Sequence, residues 1–360
     1  MLVVVCLATA GGLAWAYNQA SEVPRIDLGT ALSEPTASGE PQNVLLVGID
    51  SGLGLEEGDQ VNYGRGATLN TDTIMILRVE PGTGQAAILS IPRDLFLRLS
   101  TGGSNRINAA LAIGGPQALI ETIKQNFDIP INHYAMVDFA GFRSLVEAVD
   151  GVPMFFETGA RDEDTGLYQY ELGCVTLDPE QALAFARSRH YEINVNGRWH
   201  EDPTGDFGRI GRQQLFIRLA LERAVDKGVR SPFVLRDLLE VAQKNVTLDD
   251  EYTIQDIVDL GAQFKDFDPA TLETFTVPGR SAWKGAMSVV EMDTVAAQPI
   301  LDRFRGVVVP PPDLGPLPPA PTTPGDVTST TSSTQPLPSP TTATTVWSYI
   351  PVTPEGVSCG

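Results

Sequence analysis

Three near-continuous apolar runs constrain the fold of this chain more than any other feature of its sequence. They read NVLLVGI at residues 43–49, TIMILRV at 73–79 and AAILSI at 86–91. Such runs are typical of strands covered on both faces, because a strand with one wet face carries a polar residue at every second position. The sequence therefore predicts a buried sheet with a helical layer on each side.

Helical patterns between the strands supply these layers. A helix is predicted to open at Pro116, and another over 139–149 ends before Gly151. Further predicted elements are strands at 134–137, 152–156 and 271–277 and helices at 206–226 and near 232–243 and 253–264. The fold class is therefore α/β, and we expect a three-layer α/β/α sandwich with a central mixed sheet.

Composition divides the chain into four regions. Residues 1–17 are apolar and uncharged, which predicts a single-pass membrane anchor, truncated before its basic flank, or alternatively a cleaved signal peptide. Both interpretations place the remainder outside the cytoplasmic membrane. Residues 18–42 are expected to be a linker, 43–309 one large domain, and 310–360 a disordered tail rich in Pro, Thr and Ser.

Two cysteines lie beyond the predicted anchor, Cys174 in the domain and Cys359 in the tail. In an oxidising compartment these thiols could form a disulfide, and the sequence leaves this pairing open. The last residues, 346–360, either pack back on the domain or extend from it.

Arginines are concentrated between residues 177 and 214 of a chain whose formal net charge is -20. They are Arg187, Arg189, Arg198, Arg209 and Arg212. A single arginine of this kind is equally well explained by salt bridges on a solvated helix. Several that converge need an anion to relieve their repulsion, and planar guanidinium groups suit phosphate.

The flanks of this region indicate how the arginines converge. A helix capped by Asp178 leads into Arg187, and an extended continuation would point Arg187 and Arg189 to the same side. On the following helix, Arg209 shares a face with two further polar residues, Arg212 and Gln213.

Aspartates stand at the ends of three predicted strands. Asp50 ends the first strand, Asp72 precedes the second, and Asp94 follows the third after Arg93. A lone aspartate in such a position is an ordinary turn residue. Three at neighbouring strand ends, opposite several arginines, predict a site for Mg²⁺ beside an anion, because carboxylate and phosphate oxygens are its preferred ligands.

Common sequence motifs of other enzyme classes are absent from the sequence. It contains no HExxH, GxSxG or GxxxxGK[ST] motif, and its glycines miss the dinucleotide-binding spacing. The acidic balance argues against a nucleic-acid partner, since phosphate-backbone binding needs a basic face.

Six successive segments carry a more specific resemblance. The segments NTDTIMILRV, LSIPRDLFL, RINAALAIGG, DFAGFRSLVEAVDGV and ALAFARSRH followed by DFGRIGRQQ resemble those of the LytR-CpsA-Psr family, in the same order. The resemblance implies a membrane-anchored, extracytoplasmic enzyme with an apolar tunnel for a lipid tail. Such an enzyme transfers a glycopolymer from a polyprenyl-pyrophosphate carrier to peptidoglycan in cell wall biogenesis.

The resemblance also implies roles for individual residues. It implies that Asp50 and Asp72 bind Mg²⁺, and that Arg93, Asp72 and Asp94 are catalytic. The residues implied to hold the pyrophosphate are Arg93, Arg106, Arg187, Arg189, Arg209, Arg212 and Gln213. Candidates for the tunnel lining lie within 139–156.

The implied reaction is phosphoryl transfer. A peptidoglycan hydroxyl attacks the sugar-linked phosphate, polyprenyl phosphate leaves, and Asp72 or Asp94 accepts the proton. Two alternatives remain open: a polyprenyl-(pyro)phosphate binding protein without catalysis, and a pyrophosphatase that uses water as acceptor.

Overall fold

A computed structural model of the protein describes most of the predicted domain and part of the C-terminal region. The described residues are 23–34, 39–50, 70–226, 246–253, 256, 260, 263–264, 266–307, 349–354 and 356–359. The predicted anchor at 1–17, the predicted helix near 232–243 and most of the predicted tail lie outside them. Over the described ranges, no helix combines the length and apolarity that a membrane crossing requires.

The described chain contains groups of consecutive strands that are separated by single helices. The strands are β1 (Arg25–Ile26), β2 (Gln42–Asp50), β3 (Asn70–Glu80), β4 (Gln85–Ser90), β5 (Phe96–Arg98), β6 (Ser104–Arg106), β7 (His133–Val137), β8 (Val152–Phe156), β9 (Ala160–Asp162), β10 (Leu167–Gln169), β11 (Gly173–Leu177), β12 (Glu192–Val195), β13 (Arg198–Glu201), β14 (Val246–Asp249), β15 (Glu273–Thr276), β16 (Gly279–Lys284) and β17 (Met287–Met292). The helices are α1 (Asn108–Phe127), α2 (Phe139–Ala148), α3 (Pro179–Arg187), α4 (Asp206–Asp226) and α5 (Thr294–Arg305).

The largest sheet is mixed and has the strand order β1-β14-β7-β2-β3-β4-β15. Its centre pairs β2 with β3 and β3 with β4 in antiparallel fashion, while β2 and β7 run parallel. The three apolar runs thus form adjacent central strands, as their composition predicts.

Both faces of this sheet are covered. On β3, Ile74 and Ile76 join the apolar cluster of α1 and α5, whereas Met75 and Leu77 join a cluster on the other face with Ile217 of α4. This alternation is the strand period of two, with each set of side chains buried against helices. The structure therefore confirms the predicted three-layer arrangement around a mixed sheet.

Helix α1 begins earlier than predicted. It starts at Asn108 and is interrupted at Gly114 and Gly115, where the backbone is non-helical and Gly115 has φ 70°. Pro116 begins the second segment, as predicted, because proline suits the first turn of a helix. The glycine pair ahead of it lets the first segment approach the same core.

Part of the predicted linker, 18–42, belongs to the domain. Arg25–Ile26 pairs in parallel with β14, and Leu28 and Leu32 are buried in the main apolar cluster. Lys124 of α1 donates to the carbonyl oxygen of Ala31 at 2.8 Å. The prediction missed this segment because its apolar residues are sparse and lack strand periodicity.

The described end of the chain, residues 349–354 and 356–359, packs on the domain, which decides between the two alternatives left open for 346–360. Cys359 forms a disulfide with Cys174 of β11. Ile350 lies directly against Gly211 of α4, where an added Cβ would come within 2.4 Å of its Cδ1 atom. Tyr349 packs against the apolar cluster around α3. The two cysteines and these apolar side chains hold the segment in place.

We expect loss of this disulfide to destabilise the folded domain. Cys359→Ser should lower the free energy of unfolding by about 2–4 kcal/mol, because the bridge closes a loop with a sequence separation of 185 residues. Thermal unfolding should then shift down by roughly 5–10 °C. A reductant should shift the wild type equally and leave Cys174→Ser/Cys359→Ser unchanged. Equal melting temperatures for wild type and variant would contradict the prediction.

Candidate active site

A polar cavity of about 220 Å³ lies at the edge of the central sheet where β2 ends and β3 begins. Asp50 is the last residue of β2, and Asp72 stands near the start of the antiparallel neighbour β3. The lining residues are Asp50, Asp72, Arg93, Asn108, Asp162, Asp164, Thr165, Arg187, Arg189 and His190. The structure thus brings five of the predicted site residues together: Asp50, Asp72, Arg93, Arg187 and Arg189.

Asp72 is the electrostatic centre of this cavity. Its Oδ1 atom accepts a hydrogen bond from Nη1 of Arg93, and Nη1 of Arg209 lies 3.9 Å from the same oxygen. Burial raises the pKa of Asp72, but the positive charges of Arg209 and Arg93 lower it by a larger amount. The pKa is therefore below its usual value. The carboxylate is therefore ionised at neutral pH.

Arg209 enters the site from α4 and is almost fully buried, at 2% exposure. Its Nη2 atom donates to the backbone oxygen of Asp72 at 2.9 Å and lies 2.8 Å from Oδ1 of Asp206. Burial lowers the pKa of Arg209, yet a guanidinium group stays protonated in proteins. Arg209 therefore ties α4 to the start of β3 and adds fixed positive charge behind Asp72.

Arg187 and Arg189 reach the cavity from the end of α3. The helix stops at Ser188, which is extended with ψ 123°, and the arginines on either side of it both line the cavity. The guanidinium of Arg187 lies 4.6 Å from the ring centroid of Phe139, a cation–π contact, whereas Arg189 is exposed. Together with Arg93 they present several guanidinium groups to one small space.

Asp178 caps α3 as predicted, accepting from the backbone N–H of Gln181 at 2.8 Å. The side chain of Gln181 does not return to the cap. It accepts from the N–H of Tyr168 and donates to the carbonyl oxygen of Gly166. The helix that presents Arg187 is thereby fastened to β10.

Arg212 and Gln213 share the predicted helix face but do not reach the polar cavity. Arg212 is completely buried, donates to Oδ2 of Asp202 at 2.6 Å and lies over the ring of Tyr191. Its Nη2 atom also donates to the carbonyl oxygen of Ser188 at 2.9 Å. This contact holds the turn that aims Arg189. Gln213 donates to Thr73 at 3.1 Å and lines an apolar cavity described below.

Asp94 and Arg106 lie beside the polar cavity and outside its lining. Nη1 of Arg106 is 3.2 Å from Oδ1 of Asp94, and Nε of Arg93 is 3.6 Å from Oδ2 of Asp94. Asp94 lines a neighbouring open cleft together with Arg189 and His190. The two predicted residues are thus connected to the cavity through Arg93.

Residues of the β9–β10 region complete the cavity and were missed in the sequence. Asp162 is buried and accepts from the Ser188 hydroxyl at 2.6 Å and from the His190 N–H at 3.0 Å. Asp164 and Thr165 follow it in a turn. One signal for this side of the site was present in the sequence, which is the position of His190 directly after Arg189. The local segment DEDTG contains nothing that connects it to the arginines.

The carboxylates fit a hard divalent cation that is shared with a phosphate ligand. Asp50 and Asp72 line the same cavity, and Mg²⁺ is commonly held by one or two carboxylates with substrate phosphate oxygens completing its shell. Within the described ranges, no group of three or more His, Cys, Asp or Glu side chains is arranged to hold a metal alone. The two carboxylates in one cavity thus supply oxygen donors of the kind that such a cation takes.

A second, apolar cavity of about 490 Å³ adjoins the polar one. It lies between the sheet and helices α2 and α4, and its walls include Met75, Phe142, Val146 and Phe216. Asp72 and Arg187 line both cavities. The predicted tunnel candidates in α2 are confirmed as walls of an apolar cavity. The combined space suits a molecule with an anionic head and a long hydrocarbon tail.

Comparisons with known proteins agree with this geometry. The chain is 33% identical over 217 residues to the probable cell wall biosynthesis protein LcpB of Corynebacterium glutamicum, in an alignment covering 59% of this chain and 49% of LcpB. It therefore spans about half the length of LcpB. It is 29% identical over 270 residues to a polyisoprenyl-teichoic acid–peptidoglycan teichoic acid transferase, TagU of Oceanobacillus iheyensis, with coverage of 69% and 75%.

A solved structure, titled a LytR-Csp2A-Psr enzyme from Actinomyces oris, has the same fold. It superimposes with a TM-score of 0.61 at 23% identity, covering 78% of this chain and 95% of that one. A sequence model of the LytR_cpsA_psr family matches residues 14–305. Because this match extends over most of the chain and includes every motif described above, the protein belongs to the LytR_cpsA_psr family.

Proposed function

We propose that the protein is a phosphotransferase that moves a glycopolymer from a polyprenyl-pyrophosphate carrier to peptidoglycan and releases polyprenyl phosphate. The observation that carries this proposal is the junction of the two cavities, at which Asp72 and Arg187 line both. A lipid pyrophosphate has a charged head that suits the polar cavity and a hydrocarbon tail that suits the apolar cavity. The name of TagU describes a reaction of this class for that relative.

In this mechanism the arginines act by position and charge. Arg93, Arg187 and Arg189 face the cavity and neutralise the pyrophosphate, while buried Arg209 adds positive charge without direct solvent contact. Charge that is fixed in place before the reaction stabilises a phosphoryl-transfer transition state without a covalent enzyme intermediate. Asp72 is a weak base, because its pKa is lowered and one of its oxygens already accepts from Arg93. Asp94, the other predicted proton acceptor, lines the open cleft through which an acceptor hydroxyl would approach.

We further propose that Mg²⁺ is bound by Asp50 and Asp72 together with the pyrophosphate. When bound, the ion would neutralise charge that develops on the phosphate oxygens. We also propose that the domain is extracytoplasmic and attached to the cell membrane through the apolar segment at 1–17, which would place a membrane-borne donor within reach. The apolar composition of that segment supports this placement.

Arg189 provides the cleanest test of the phosphate site, because it is exposed and its removal leaves the core intact. Arg189→Ala should reduce transfer by about 100-fold with little change in melting temperature. Transfer is measured from a synthetic polyprenyl-pyrophosphate-linked glycan to purified peptidoglycan. Arg280→Ala, an exposed arginine paired with Glu291 on another hairpin, is the matched control. Wild-type turnover by Arg189→Ala would refute the assignment.

Arg209→Ala is a less suitable variant, because the guanidinium is buried and joins α4 to β3. Its loss should lower stability as well as activity. Release of glycan phosphate in the absence of peptidoglycan would instead identify a pyrophosphatase. Donor binding without either product would identify a carrier-binding protein.

Mg²⁺ dependence can be tested at Asp50. Asp50→Asn keeps the shape of the side chain but removes a charged ligand, and we expect the Mg²⁺ concentration for half-maximal transfer to rise about tenfold or more. Calorimetric titration of the protein with Mg²⁺ should show tight binding only when inorganic pyrophosphate is present, and Asp50→Asn should weaken that binding. Full transfer by the wild type in excess EDTA would rule out the proposed ion.

The lipid site can be tested by filling the apolar cavity. Ala220→Trp places an indole among the residues that line it, so a prenyl chain should be excluded while the arginines remain in place. We expect affinity for polyprenyl pyrophosphate to fall about tenfold or more, with unchanged affinity for inorganic pyrophosphate. Equal losses for both ligands would indicate a distorted fold, and no loss for either would contradict a lipid in this cavity.

A further inference from the structure

A partly exposed aromatic surface lies beside the site, and its residues are not among those that line the two cavities. It is formed by Tyr168 of β10, Tyr170 directly after β10 and the half-buried Trp199 of β13, at the small sheet of order β10-β9-β12-β13. Tyr168 is 49% exposed and Tyr170 is 58% exposed. The ring centroids are 6.3 Å apart for Tyr168 and Tyr170 and 6.0 Å apart for Tyr170 and Trp199. We call these three residues the aromatic row.

Planar polar side chains continue the same face of the sheet. The strand register aligns Tyr168 with Arg161, Arg161 with Glu192, and Glu192 with Glu201. The guanidinium of Arg161 lies 4.5 Å from the ring centroid of Trp199 and donates to Glu192 at 2.6 Å. Hydrogen-bonding groups are thus held at fixed positions beside exposed rings.

This face leads directly into the polar cavity. Glu201 lies 2.6 Å from Nδ1 of His190, and His190 lines the cavity. At its other end, β9 finishes at Asp162, and the turn that joins it to β10 supplies Asp164 and Thr165 to the cavity wall. Tyr168 is only three residues beyond Thr165, a distance of roughly 10 Å along an extended chain.

The chemistry of this face fits an uncharged carbohydrate. Tyrosine and tryptophan rings offer a flat apolar surface to the C–H groups of a sugar, while their polar tips and neighbouring arginine and carboxylate groups can bond its hydroxyls. An anionic lipid surface fits poorly, because carboxylates surround the rings: the side chain of Glu163 is 68% exposed, and Glu171 is also exposed.

We infer that the aromatic row binds the sugar backbone of the acceptor, a peptidoglycan glycan strand, and guides one of its hydroxyls toward the polar cavity. This inference rests on the proposed transfer function and adds the site for the second substrate. The row lies outside both donor cavities, so donor and acceptor can be bound at the same time.

The test measures acceptor binding separately from transfer. Tyr170→Ala and Trp199→Ala are prepared in the full chain, with Trp283→Ala as the matched control, because Trp283 is 72% exposed on the β16–β17 hairpin. The probe is uncharged glycan strands of β-1,4-linked N-acetylglucosamine, which share the sugar backbone of peptidoglycan and carry no carboxylate, titrated by calorimetry. We expect each row variant to bind about tenfold more weakly and the control to bind as the wild type does.

Transfer kinetics then distinguish this inference from the proposed function. The row variants should raise KM for the glycan acceptor while leaving the affinity for polyprenyl pyrophosphate unchanged. If the wild type binds the strands through the row but transfers nothing, the function fails and the glycan site stands. Wild-type strand binding by folded Tyr170→Ala would overturn the glycan site, as would row-dependent binding of anionic vesicles in place of strands. Tyr170→Ala keeps the test decisive if Trp199→Ala does not fold.

Discussion

The ion pairing around Asp72 is the interaction on which the rest of the site depends. Asp72 is contacted by Arg93 from the segment after β4 and by Arg209 from α4, so three parts of the fold converge on one carboxylate. Each guanidinium is costly to bury alone, and each is compensated by acids that are already in place. The site is consequently a product of the sheet edge and α4 acting together, and its guanidinium groups and carboxylates are in place before any ligand arrives. A second buried pair, Arg212 with Asp202, supports it by holding the turn that carries Arg189.

Much of the fold could be predicted because its central strands are recognisable as apolar runs in the sequence. The runs that became β2, β3 and β4 are apolar at successive positions, which specifies a sheet covered on both faces. Asp178 and the residues after it likewise predicted α3. Boundaries were harder to predict. The helix α1 begins at Asn108, but the two glycines that interrupt it hid its first segment from the sequence pattern, and β1 is too short to show a pattern. The packing of the chain end involves the disulfide between Cys174 and Cys359, and the sequence alone could not decide whether these cysteines pair.

The candidate site was predicted in part, and the limit has a physical cause. The two-residue spacing of Arg187 and Arg189 on an extended segment predicted that they point to the same side, and both line the polar cavity. Helical spacing placed Arg209 and Arg212 on one face but could not distinguish them, and Arg212 turns into the core toward Asp202. Burial on a helix face depends on what the fold packs against it. Asp162 meets Ser188 and His190 across separations of 26 and 28 residues. The β9–β12 pairing, which joins the two hairpins of the aromatic row, aligns Arg161 with Glu192, and contacts between such distant positions leave no local signature.

The shared wall between the two cavities has a consequence for the catalytic cycle. Because Asp72 and Arg187 line both spaces, the proposed transfer would leave the remaining phosphate of the prenyl chain within reach of the same charges, with its hydrocarbon still in the apolar cavity. The spent carrier therefore competes with fresh donor for one location and has to withdraw before another round begins. For the proposed transferase, polyprenyl phosphate would therefore compete with the donor as an inhibitor, which links transfer to removal of the used carrier.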